Sequence, residues 1–340
     1  MSLSSLFPLG KLPPEHLGRL LEAHTFSLPG DRVLVRPGVG EDAAVIDMGN
    51  RWLVAKTDPI TFATDEIGWY AVHVNANDVA AAGGIPRWFL STLLLPEART
   101  DIALVEHIME QIASACRSLN IVPCGGHTEI TYNLDRPIVV GVMLGEIEPG
   151  NLVRSNGVQV GDVILLTKGA AVEGTAIMAR EKQRELAGRF SPAFLDRCQG
   201  FLRHPGISVV REAHIAVETA SIHAMHDPTE GGVATGLWEL AVASGVGLDV
   251  YGEAISIFDE TRQLCQFFEL DPLGVIASGA LLIALSEADV EPVCRALQDA
   301  EIPVAPIARA MPASYGLVLH TADGTTPLPR FDQDEIARLF

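Results

Sequence analysis

Short apolar runs alternate with amphipathic stretches along most of this chain. Residues 15–24 predict a helix in the lead segment, with a turn at Pro29-Gly30. Residues 33–35 and 43–47 read as short strands around a glycine turn, Pro37-Gly38-Val39-Gly40-Glu41-Asp42. Residues 52–56 form a buried strand that ends in Thr57-Asp58-Pro59. Residues 65–82 predict a helix, with Asp65 as N-cap and Gly83-Gly84 as its stop. A strand over 88–95, a long amphipathic helix over 101–119, a strand over 121–124 running into Gly125-Gly126 and a strand over 137–144 follow. The order from residue 43 is β, β, α, β, α, β, β, which implies helices layered on a sheet.

The stretch 146–161, EIEPGNLVRSNGVQVG, is rich in Gly, Asn and Pro and carries no periodicity. A domain boundary is expected there, giving units of 1–153 and 154–340. The second unit restarts with a buried strand at 163–167, then helices over 174–184, 192–201, 209–219 and 231–244. Asp227-Pro-Thr-Glu-Gly-Gly232 opens the last of these. A strand at 280–285, a helix at 290–300, strand character at 317–320 and a short helix at 332–339 close the chain. The fold class read from this pattern is two-domain α/β (α+β).

Composition narrows the function. The chain has 340 residues, enough for two domains with cores of their own. Hydrophobic residues make up 48% and charged residues 20%, which excludes disorder as the main state. Lys+Arg is 24 against Asp+Glu 43, a net charge of -19. Such a field repels nucleic acid and anionic lipid, so neither is expected as a partner. An anionic ligand would need metal ions or aimed backbone N–H groups. No apolar run approaches 18 residues and no secretory signal opens the chain, so no membrane span and a cytoplasmic location are expected. Five scattered cysteines outside any CxxC pair read as reduced thiols, mostly in cores.

Acidic residues recur at the edges of these elements: Glu41 and Asp42 in the glycine turn, Asp58 at a strand end, Asp78 in a helix and Asp227 before a helix. Carboxylates so placed suit a hard cation such as Mg²⁺, though turns and caps favour Asp in any protein. Asp78 is the more telling, because Asn75-Ala-Asn77-Asp78 lies in an Ala-rich run and is costly to bury without a partner. Gly125-Gly126 would let a phosphate approach backbone N–H groups, or would form a plain tight turn. There is no Walker loop, no GxGxxG opening a helix and no HExxH; His223, His226 and Asp227 merely lie close in sequence.

Taken together, six motifs in order resemble the aminoimidazole ribonucleotide (AIR) synthase superfamily. They are Gly38-Val-Gly-Glu-Asp-Ala-Ala-Val45, Lys56-Thr-Asp-Pro59, Val74-Asn-Ala-Asn-Asp-Val-Ala-Ala-Ala-Gly83 with Pro86, Gly125-Gly-His-Thr128, Ser155-Asn-Gly-Val-Gln-Val-Gly-Asp162 and Asp227-Pro-Thr-Glu-Gly-Gly232. The AIR synthase-related and HypE-like hydrogenase-maturation branch looks closest. The resemblance implies a PurM-like fold, with N-terminal sheets pairing into a barrel-like core of a homodimer and a C-terminal mixed sheet with helices. It implies ATP and Mg²⁺ as ligands, and phosphoryl transfer to an oxygen of a small amide, carboxylate or phosphate substrate. By position it assigns metal binding to Glu41, Asp42, Asp58, Asp78 and Asp227. It assigns nucleotide contacts to Gly40, Thr57, Asn77, Gly125, Gly126 and Thr128.

Several positions depart from that branch. Gly126-His127-Thr128-Glu129 stands where HypE reads Gly-Asp-Thr-Lys, and Ser278 replaces an expected Glu. HypE ends in a cysteine, whereas this chain has none after Cys294. The departures leave room for a non-catalytic nucleotide-binding or regulatory relative, or for a divergent maturation factor with a HypF-like partner protein.

Overall fold

The computed structural model describes Phe7, residues 12–38, Glu41, residues 43–61 and residues 65–340. Helix α1 (Pro14–His24) precedes three strands, β1 (Val33–Val35), β2 (Ala44–Asp47) and β3 (Trp52–Ile60). Then come α2 (Ile67–Ala81), β4 (Ile85–Pro96), α3 (Ile102–Ser118), β5 (Val122–Thr131) and β6 (Ile138–Ile147). These strands form one sheet in the order β1-β2-β3-β6-β4-β5, antiparallel except for the β4–β5 pair.

Helix α2 lies between this sheet and the second half, and almost every residue from Ile67 to Ala81 is buried. It ends as expected: the N–H groups of Gly83 and Gly84 return to the carbonyls of Ala80 and Val79. Its start differs. Glu66, not Asp65, holds the cap position and makes no side-chain cap bond. Both carboxylates instead reach across to the second half. Asp65 pairs with Arg180, and Glu66 takes Arg203 at 2.9 Å through both oxygens. By contrast Asp101 caps α3, accepting the Leu104 N–H at 2.9 Å.

The second half begins with β7 (Val163–Thr167), α4 (Val172–Glu181), α5 (Gln183–Leu186), α6 (Pro192–Gly200) and α7 (Val210–Thr219). It continues with β8 (Ile222–His226), α8 (Gly232–Ser244), β9 (Gly247–Tyr251), α9 (Asp259–Phe268), β10 (Leu282–Leu285) and α10 (Glu287–Asp299). Strands β11 (Val304–Met311), β12 (Leu317–Thr321) and β13 (Gly324–Pro327) complete a sheet ordered β13-β12-β9-β11-β7-β10-β8. It is antiparallel except between β9 and β12. Strand β7 is covered on both faces, which is why Val163-Ile-Leu-Leu-Thr167 reads as a continuous apolar run.

Four strands and one helix of this half escape the hydrophobic pattern: β8, β9, β11, β13 and α9. Strand β8 carries two histidines, and β11 holds Pro306, which breaks strand periodicity and sits at a register shift before Ala308. Of the cysteines, Cys116, Cys198 and Cys265 are buried as expected, whereas Cys124 is exposed on β5.

One apolar cluster runs from the first sheet through α2 to α4, α6 and α9, joining Val54, Phe89 and Met143 to Val172, Leu202 and Leu264. Two further clusters cover the two faces of the second sheet. Among the described residues, no helix is long and apolar enough to cross a membrane.

Candidate active site

Strand β3 runs past its expected end and carries Lys56, Thr57 and Asp58 within the strand itself. Helix α2 lies across it and presents Asp78. The two elements converge on one ammonium: Lys56 Nζ is 2.8 Å from Asp78 Oδ2 and 3.3 Å from Asp58 Oδ2. Asp78 keeps 6% of its side-chain exposure and Lys56 12%, while Asp58 keeps 39%. A carboxylate as deep as Asp78 is tolerable only with a cation beside it. Asn75 steadies the junction, its Nδ2 giving to the carbonyls of Ala71 at 2.8 Å and Asp58 at 3.3 Å.

Asp78 also lines a small hollow of about 30 Å³, together with Glu41, Arg154, Ser155 and Met225. The first half, the connecting segment and β8 thus meet at one place. Gly40 and Asp42 lie outside the described residues. Among the described residues, no group of three His, Cys, Asp or Glu side chains is gathered to hold a metal ion.

The other expected site residues fall as follows. Thr57 gives its hydroxyl to the Gly141 carbonyl on β6, at 2.9 Å. Asn77 is taken up entirely by the second half: Nδ2 gives to the Ile207 carbonyl at 2.8 Å and Oδ1 accepts the Val209 N–H at 2.9 Å. Gly125 and Gly126 do not form a turn. They continue inside β5, opposite Leu90 and Ser91, next to a register shift at which Cys124 of β5 is passed over between the Phe89 and Leu90 pairings. Their φ angles of +152° and +153°, and a Ser91 carbonyl oxygen that would lie 2.0 Å from a Cβ on Gly126, explain the glycines. Thr128 follows on the same strand, between His127 and Glu129, which face each other in solvent at 3.2 Å. Strand β5 is an edge strand exposed along nearly its whole length.

Asp227 is 2% exposed at the end of β8 and does not cap α8, whose cap position belongs to Gly231. The neighbouring histidines take different partners: His223 pairs with Asp162 and His226 with Glu239, each at 2.9 Å.

The structure adds residues that the sequence reading missed. Lys168 follows β7 and is buried against Glu212 at 2.6 Å, and it also gives to the carbonyls of Gly206 and Ser208 at 3.0 and 2.5 Å. Lys168 and Ala171 both hold left-handed backbone, φ 55° and 54°, in the short loop before α4. Glu173, two residues on, is pushed up to about 7, mainly by burial, with Glu230 and Asp334 adding repulsion against the relief given by Ser278. Burial likewise pushes Asp334 to about 6, although the Gly231 N–H donates to it at 2.7 Å. His73 is held near 4 by burial and stays neutral. A charge at the end of an all-apolar strand (Lys168) and a histidine inside an apolar helix (His73) were the available signals.

Residues 40–147 match the model of the AIR synthase related protein, N-terminal domain, and residues 159–318 match that of its C-terminal domain. The chain belongs to the AIR synthase related family. Carbamoyl dehydratase HypE of Cupriavidus necator is 28% identical to this family member over 278 residues, spanning 79% of this chain and 75% of that protein. Thiamine-monophosphate kinase of Aquifex aeolicus is 26% identical over 248 residues, 69% of this chain and 75% of that protein. Among solved structures, hydrogenase maturation protein HypE in complex with ATP matches with a TM-score of 0.72 at 26% identity, over 88% of this chain and 92% of that one. A HypE–HypF complex shares the fold, with a TM-score of 0.72 at 20% identity over 86% of this chain and 94% of that one. The two-domain α/β expectation therefore stands, and the chain sits with the HypE-like members of the AIR synthase related family.

Proposed function

We propose that this AIR synthase related protein is an ATP- and Mg²⁺-dependent enzyme that phosphorylates an oxygen of a small amide, carboxylate or phosphate substrate. One observation carries the reading: Asp58 and Asp78, from separate elements, converge on a single cation position at Lys56 within β3. Their oxygens are the hard donors that Mg²⁺ prefers, and the Lys56 ammonium already occupies the electrostatic place of such an ion. HypE in complex with ATP and a thiamine-monophosphate kinase are among the relatives, which supports ATP as the phosphoryl donor.

In this reading Asp58 and Asp78 hold the ion, with Glu41 beside Asp78 in the hollow and Asp42 next along the chain. Asp227 approaches from the second half. Gly40, Thr57 and the Gly125-Gly126-Thr128 segment lie along the nucleotide, while Asn77 serves as a clasp between the halves. The bound ion supplies charge neutralisation for the triphosphate in a protein of net charge -19. The protein's own task is alignment: β3 and α2 fix the two carboxylates, and packing on the second half fixes α2. We further propose a cytoplasmic homodimer, units of 1–153 and 154–340, and pairing through the exposed edge strand β5.

The second reading is a non-catalytic nucleotide-binding relative, favoured by the His127–Glu129 pair in place of a basic residue on β5. A maturation role with a HypF-like partner is the further alternative, since a HypE–HypF complex shares this fold. Mg²⁺-dependent ATP hydrolysis by the purified protein, alone and with metabolite pools, tests the enzyme reading. Calorimetric ATP binding without turnover would favour the second reading, and no binding at all would defeat both.

A further inference from the structure

Lys56 is out of place in a site meant for a cation. It sits beside the most deeply buried carboxylate of the cluster, it is itself 12% exposed, and it touches the second carboxylate as well. We propose that Lys56 is the resident counter-cation of the Asp58–Asp78 pair, so that a divalent cation enters only together with an anion that takes over the displaced ammonium. The proposal rests on the nucleotide reading only for the identity of that anion, a polyphosphate.

The charges explain why. Lys56 is the nearest cation given for the buried Asp78, at 2.8 Å, and it offsets one of the two carboxylates it touches. A divalent ion arriving alone would compete with the ammonium for the same carboxylate oxygens, 2.8 and 3.3 Å from Lys56 Nζ, and two cations held that close where water reaches poorly repel each other. Mg²⁺ also gives up its own water reluctantly, so carboxylates that already have a partner are a poor bargain for it. An anion delivered with the ion removes the obstacle. Lys56 has a flexible four-carbon stem rooted on β3, and its compact ammonium pairs well with phosphate oxygens as a point charge. The same side chain thus guards the site when empty and grips the phosphates when filled. A lysine that only braced the fold would not show opposite effects on the two ligands.

The test uses the full-length protein with MgCl₂ alone and with the Mg²⁺ complex of a non-hydrolysable β,γ-methylene ATP analogue, followed by calorimetry and thermal shift. Lys56→Met should bind Mg²⁺ alone about tenfold tighter than the wild type, and the Mg²⁺–analogue complex about tenfold more weakly, a coupling of ordinary size. The double variant Lys56→Met/Asp58→Asn should lose the gain in Mg²⁺ affinity, which places it at this pair. Lys56→Arg should behave like the wild type. If Lys56→Met does not fold, Lys56→Gln keeps a donor for the carboxylates and should move both affinities in the same directions. Mg²⁺ affinity that is unchanged or weaker without the lysine overturns the proposal. Tighter Mg²⁺ with no analogue binding in either protein supports the counter-cation and overturns the nucleotide reading.

Discussion

Asn77 and Val209 meet where the two halves of the molecule join, the asparagine Oδ1 accepting the valine N–H at 2.9 Å. The other end of the same amide gives to the Ile207 carbonyl, so one side chain from α2 satisfies two buried backbone groups of the second half. Asn77→Ala would leave both without partners. A loss of about 2 kcal/mol or more in urea unfolding is expected, with little change in nucleotide affinity. A large loss of affinity at intact stability would return Asn77 to the nucleotide.

Asp58 and Asp78 share one cation but differ in depth. Asp58→Asn changes the more exposed partner and should leave the fold intact, while any Mg²⁺-dependent ATP turnover falls at least about 100-fold. Asp78→Asn, at 6% exposure, should lower the melting temperature as well, because Lys56 loses its nearer carboxylate. Equal turnover in Asp58→Asn and wild type would remove the carboxylate pair from the chemistry.

Glu173 gives the protein a pH-dependent weakness. Burial raises its carboxyl to about 7 from an ordinary value of 4.5. The folded state therefore holds the proton more tightly than the unfolded chain does. That stabilisation is complete below about 4.5 and is lost as pH rises through about 7. Glu173→Gln should match the wild type near the lower value and exceed it at pH ~8 by up to about 3 kcal/mol. Denaturant melts across the range check the crossover, and parallel curves would dismiss Glu173 as its source.

Gly126 packs where a side chain cannot follow. A Cβ there would lie 2.0 Å from the Ser91 carbonyl oxygen, whereas on Gly125 the nearest atom is 3.9 Å away. Gly126→Ala should cost about 1–3 kcal/mol by prising β5 from β4, and Gly125→Ala should cost less. Hydrogen exchange along β4 reads the difference directly, and equal protection in the two variants would count against it.

The edge strand makes one further demand. Val122 and Ile130 on β5, and Tyr132 just beyond it, are exposed apolar residues, and an uncovered edge of this length invites pairing. Sedimentation should find a dimer, and Ile130→Asp should shift it toward monomers without unfolding them. A wild-type monomer at micromolar concentration would exclude β5 as an interface.

Much of this was legible from residue order. Strand β7 and helices α2 and α3 declare themselves by apolar spacing, and Asn75-Ala-Asn77-Asp78 announces a polar feature inside a buried helix. Its division of labour was not legible, since Asp78 turns to Lys56 while Asn77, one residue earlier, turns to the other half. The glycine pair, read as either a phosphate approach or a tight turn, lies inside a strand, and local preference cannot see a neighbouring strand, here Ser91, pressing on the backbone. Asp65 looked like a helix cap yet pairs with Arg180, and Asp227, which precedes α8 in the sequence, is buried at a strand end. Strand β11 hid behind Pro306, which only a register shift allows.

The apolar cluster that passes from the first sheet through α2 into α4, α6 and α9 has a mechanical consequence. Two lobes stitched through a common interior do not swing like the jaws of a hinge. The molecule should melt in a single step, and the width of the hollow beside Asp78 is set when the chain folds rather than when a guest arrives. Selectivity must then come from rearranging side chains along a fixed wall, with surface segments supplying whatever motion admits and releases small molecules.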